Sequence, residues 1–123
     1  MGFRFQVPDV KKPLMSVRRI VEKGNIVHFG PEEGDNYIMN RVSGDKIELR
    51  PNGRGSYMLD VAFVGGEKTT ITVDSGAEEN VCPWEWGNQF EVNEGEKKLN
   101  LRNASGGTIP HWGQRDVLVT SPF

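Results

Sequence analysis

Cysteine is nearly absent from this chain. Cys82 stands alone among 123 residues, so no internal disulfide can form, and a single thiol fits a reducing compartment. Histidine is almost as scarce. His28 and His111 lie far apart in sequence with no Cys/His cluster around either, which argues against a zinc site. No apolar run approaches the ~20 residues of a membrane-spanning helix, and the N-terminus carries no signal-peptide pattern. Charge of one sign is missing too: 15 Lys and Arg face 17 Asp and Glu, for a formal net charge of -2. The basic residues are scattered, with Lys11-Lys12 and Arg18-Arg19 the densest group, so neither a nucleic-acid nor a membrane-surface footprint is expected. These absences predict a soluble, cytoplasmic protein that uses no metal and no cofactor.

Glycine, by contrast, is plentiful. Fifteen glycines punctuate short alternating segments, the pattern of an all-β domain. The length suits one domain over residues 1–123. Strands are expected at 3–7, 26–29, 37–40, 46–49, 57–64, 68–73, 99–102, 108–112 and 117–119. Hairpin turns fall at 42–45, 65–66 and 103–107. Leu14, Val17, Ile20 and Val21 recur at helical spacing and predict a helix over 14–22. Gly24 suits its left-handed C-cap.

One motif points to a chemistry. Residues 71–77 read Ile-Thr-Val-Asp-Ser-Gly-Ala, a β-branched strand running into Asp74-Ser75-Gly76. Aspartic proteases place a catalytic carboxylate in this way. Peptide hydrolysis needs an activated water and a proton for the leaving amine. Two carboxyls sharing one proton supply both, provided they sit close enough for repulsion to keep that proton between them. The chain offers one such Asp. Two copies about a two-fold axis would set Asp74 against its twin, with Ser75 bonding across the axis and Gly76 permitting close approach. The Ala104-Ser105-Gly106-Gly107 tip suits a flap that closes over substrate. The bland alternatives are an Asx-turn at Asp74 and an ordinary exposed hairpin at the tip.

Residues 57–77 (YMLDVAFVGGEKTTITVDSGA) resemble the amino-terminal half of retropepsin-like aspartic proteases, most closely the copia-type retrotransposon branch. Residues 99–113 (LNLRNASGGTIPHWG) resemble that family's flap. Residues 7–30 (VPDVKKPLMSVRRIVEKGNIVHFG) resemble the segment that copia-type elements place after the flap. The halves stand in swapped order: 1–55 resembles the family's C-terminal half and 56–123 its N-terminal half. The resemblance therefore implies a circularly permuted, closed retropepsin-like β-barrel with one short helix, working as a homodimer. It implies Asp74, Ser75 and Gly76 as the catalytic motif. Ala77, Glu78, Asn103, Ala104, Ser105, Gly106 and Gly107 would contact substrate. The substrate would be an extended peptide or retroelement polyprotein, cleaved in the cytoplasm or inside a virus-like particle. Where retroviral members pair an Arg with an acid just after the motif, this chain suggests Lys12 with Glu78.

Two other readings stand beside the protease. The chain could be an inactive β-barrel interaction domain derived from one. It could also be a monomeric hydrolase pairing Asp74 with Asp60 or Asp116. Trp84, Trp86 and Trp112 are expected to pack rather than to bind, and Cys82 to be a small buried apolar residue. Pro31–Asp35 reads as an exposed acidic loop.

Overall fold

The computed structural model describes residues 1–93 and 111–122. Along them run β1 (Gly2–Pro8), β2 (Leu14–Ser16), α1 (Val17–Glu22), β3 (Asn25–His28), β4 (Tyr37–Asn40), β5 (Lys46–Pro51), β6 (Tyr57–Phe63), β7 (Lys68–Asp74), β8 (Val92–Asn93) and β9 (His111–Thr120). The protein is predominantly β, with one short helix among the described residues. The expected flap at 103–107 and most of its hairpin lie outside the described residues. No helix among those described is long and apolar enough to cross a membrane.

Side-chain alternation builds the sheet. Leu59, Val61 and Phe63 of β6 are buried, as are Ile71 and Val73 of β7 and Val117 and Val119 of β9. Each strand thus turns one row inward and the other outward. The inward rows join Phe5, Met15, Ile20 and Ile38 in one cluster, to which both sequence blocks contribute. Burying a side chain of this size is worth about 1.5–3 kcal/mol, so neither block keeps its core without the other.

The pairing curls back on itself. β6 pairs with β7, β7 runs parallel to β2, and Leu14 of β2 meets Val81. Val81 also bridges Gln6 of β1; β1 pairs with β9, and β9 returns to β6. From β6 an antiparallel arm continues through β5 and β4 to β3.

The helix is shorter than its sequence spacing predicts. Leu14–Ser16 is drawn into parallel pairing with Thr72–Asp74, and Met15 is buried there. Tertiary pairing outweighs a helical propensity that is weak over so few residues. Ser16 then caps α1, its hydroxyl accepting from Arg19 N–H at 3.4 Å. Gly24, at φ +86°, ends the helix in the left-handed conformation expected of it.

Candidate active site

β7 carries Asp74 to its position. Val73 faces the core opposite Tyr57, so Asp74 emerges exposed at the strand end, beside the turn that joins β5 to β6. Its Oδ1 accepts the Gly76 N–H at 2.8 Å, the side-chain-to-backbone closure typical of an Asx-turn. The carboxylate borders a cavity of about 240 Å³ whose walls include Phe29, Tyr57, Val73 and Ser75. The Phe29 and Tyr57 rings touch, centroids 4.6 Å apart. Within one chain Gly76 is not sterically required: an added methyl would meet Asp74 Oδ1 at 3.4 Å, an ordinary contact.

The loop after Asp74 rests on the other block of sequence. Ser16 hydroxyl donates to the Ala77 carbonyl at 2.7 Å. Asn80 Oδ1 accepts Ser16 N–H at 2.8 Å, and its Nδ2 donates to the Arg4 carbonyl at 3.0 Å. Ser16 and Asn80 are both buried, so these bonds form where an unmade partner is costly. Arg19 completes the support. Its Nε donates to the Glu78 carbonyl at 3.0 Å, one terminal nitrogen holds the Glu79 carboxylate, and the other donates to Glu22 at 2.8 Å.

The cation under the loop is therefore Arg19 and the acid is Glu79. Lys12 is exposed and makes no ion pair among the described residues. The planar fork of Arg suits three acceptors set at angles; a Lys ammonium is a point charge on a flexible stem. Sequence reasoning missed Arg19 because Arg18-Arg19 reads as a surface charge pair. The available signal was its place three residues after the capping Ser16.

Asp74, Ser75, Gly76, Ala77 and Glu78 share this loop; Asn103, Ala104, Ser105, Gly106 and Gly107 lie outside the described residues. Neither proposed second carboxylate stands beside Asp74. Asp60 is opposite Thr70, four residues back along β7 or about 13 Å at strand rise. It accepts from Arg50 at 3.1 and 3.2 Å and from Thr70 at 2.8 Å. The Arg50 hydrogen bond is the main influence holding it below the usual carboxylate range. Asp116 is engaged by Arg4 at 2.8 and 3.2 Å and is likewise held low, chiefly by that hydrogen bond. Cys82 is buried, and desolvation pushes its thiol up to about 11, with nearby Arg115 pulling the other way. A thiol that stays protonated is no nucleophile. No group of His, Cys, Asp or Glu among the described residues could hold a metal ion.

No family profile matches the chain, and no solved structure matches it. A glutamate–tRNA ligase from Janthinobacterium sp. (strain Marseille) is 25% identical over 113 residues, covering 92% of this chain and 22% of the ligase. The chain thus spans less than a quarter of the length of that relative.

The tryptophans pack away from Asp74. Trp86 lies against Phe5 and Phe63 at 5.0 and 4.9 Å and donates to Thr69 at 2.8 Å. Trp84 and Trp112, each half exposed, meet edge to face at 5.6 Å. Buried Arg115 ties this loop down, donating to the carbonyls of Phe90, Trp84 and Trp86.

Proposed function

We propose that this protein is an aspartic endopeptidase of the retropepsin-like kind, with Asp74 as one half of a carboxyl dyad completed by a second copy. One observation carries the reading. The D-S-G carboxylate is exposed at a strand end, bordering a cavity, while the loop behind it is held by hydrogen bonds that buried Ser16 makes to Ala77 and to buried Asn80. A carboxylate kept accessible on a rigid support is what a shared dyad needs. Asp74 would activate water as general base, its twin would protonate the leaving amine, and Ser75 and Gly76 would line the junction. The substrate would be an extended peptide from a polyprotein. Residues 103–107 would close over it.

The swapped order of the halves is supported by where chain segments meet. The Met1 amino group donates to the Val119 carbonyl at 2.8 Å, and Val119 N–H donates to Met1 at 2.9 Å. A short turn there, with a break in the β5–β6 turn, would give the family order without disturbing a strand.

The interaction-domain reading is favoured by one fact: among the described residues a single chain brings no second carboxylate to the Asp74 cavity. The ligase similarity raises a third reading, an RNA-contacting piece of a larger enzyme. RNA binding calls for a basic surface. The net charge here is -2, and Arg4, Arg19, Arg50 and Arg115 are already engaged by carboxylates or carbonyls. The peptide reading is preferred.

The test is proteolysis of an unfolded protein mixture between about pH 4 and 7, wild type beside Asp74→Asn. Cleavage by the wild type alone is expected, together with a dimer in sedimentation. Equal cleavage by both, or none by either with the dimer present, would overturn the proposal.

A further inference from the structure

A larger cavity, about 840 Å³, opens beside β5 and meets the Asp74 cavity at Tyr57, which lines both. Phe29 walls the one and Gly30 the other, so a single stretch of chain borders both spaces. The volume falls within the range of roughly 300–1,000 Å³ common to ligand sites.

Its lining has a sign. Glu32, Glu33 and Glu48 border it, are exposed, and make no ion pair among the described residues. Asp60 and Arg50, also on the wall, neutralise each other. Lys46, the remaining cation of the lining, lies over the Tyr37 ring at 4.2 Å. The balance is negative.

A buried amide side chain also borders the cavity. Asn36 lines it and is only 7% exposed. Its Oδ1 accepts Gly30 N–H at 3.0 Å and its backbone carbonyl accepts Leu49 N–H at 2.8 Å. Its side-chain nitrogen meets no acceptor among the described residues. A buried donor of this kind needs an oxygen acceptor, from water or from a ligand, and a peptide carbonyl is a fitting one.

We infer that this cavity is a subsite for a peptide segment carrying Lys or Arg. The segment would continue from the Asp74 cavity past Tyr57, with Asn36 donating to its backbone and Glu32, Glu33 and Glu48 facing its basic side chain. The inference rests on the proteolytic reading of Asp74 and adds a substrate class to it: chains with a basic residue a few positions to one side of the scissile bond.

Binding and cutting are tested apart. Asp74→Asn keeps the acceptor for Gly76 N–H and serves as an uncut receptor. Fluorescent peptides with an apolar centre and Lys, Gln or Glu on either flank are titrated into it. The Lys peptide should bind about tenfold tighter than the Gln peptide at low salt, with the Glu peptide weakest. That gap should shrink at high salt. It should also close in Glu32→Gln/Glu33→Gln/Glu48→Gln, whose exposed substitutions leave folding intact by circular dichroism. Equal binding of Lys and Gln peptides, or a Lys preference that survives the triple change, would overturn the subsite. Lys-selective binding without cleavage by the wild type would retain the subsite and remove the protease. Cleavage indifferent to flanking charge would do the reverse.

Discussion

Asp74 carries the proposed chemistry, but its neighbours decide where it points. Asp74→Asn should leave the thermal midpoint within a few degrees, because the amide oxygen still accepts from Gly76 N–H, and should remove all cleavage. Calorimetry and a peptide assay on the same sample check both. Arg19 acts through the loop. Arg19→Ala should cost about 1 kcal/mol in urea unfolding, since the group is partly exposed and solvent screens its ion pairs. It should also lower activity by loosening residues 77–79, and Arg19→Lys should restore little, lacking the fork geometry. Rescue by Lys equal to wild type would reduce Arg19 to a simple charge. Burial should keep Cys82 unreactive toward alkylating agents at neutral pH until the protein unfolds.

At the level of elements, the parallel pairing of β2 with β7 joins the two sequence blocks beneath the D-S-G loop. Ser16→Ala removes both the helix cap and the bond to Ala77 and should destabilise by about 1–2 kcal/mol. β8 and β9 approach so closely that a Cβ on Gly113 would lie 2.3 Å from the Asn93 carbonyl oxygen, and Gly113 sits at φ +140°. Gly113→Ala should therefore cost about 2 kcal/mol or more. The exposed ion pairs of the sheet should make a small contribution to acid stability. Asp60 and Asp116 have folded pKa values below the ordinary one, so the unfolded chain takes up protons first as pH falls. Their contribution is present above about pH 4 and is lost below it. The thermal midpoint should thus be flat with respect to these pairs between about pH 5 and 7 and decline below 4. Replacing Arg4 and Arg50 together by Ala should flatten part of that decline; an unchanged acid limb would show the pairs to be inert.

At the scale of the molecule, the order of the blocks matters less than their contacts. A chain opened in the β5–β6 turn and closed by a turn of about two to four residues from β9 to β1 preserves every strand pair described, because Gly2 already faces Leu118. It should fold with the same circular dichroism spectrum and a midpoint within a few degrees. Failure to fold would mean that the β5–β6 connection, and not only the pairing, holds the sheet. Comparing the mass of both forms in solution would show whether that connection governs the approach of a second copy.

Much of the architecture was legible from residue patterns. Period-two alternation locates β1, β6 and β7, turn glycines separate β4 from β5 and β6 from β7, and the D-S-G tripeptide marks Asp74 before any fold is known. These signals are local, carried by neighbours in sequence. Three features were not legible. Leu14–Ser16 reads as helix but pairs as strand, because its partner lies some sixty residues away in β7. Arg19 reads as surface charge but supports the loop after Asp74. The acidic loop at 31–35 reads as solvent-facing, and residues 31–34 are exposed, but the cavity they border with β5 and Tyr57 was not visible in the sequence. Each depends on a contact between the two blocks or across the β3–β5 arm. A side chain's role is set there by what long-range packing places opposite it, which local periodicity does not encode.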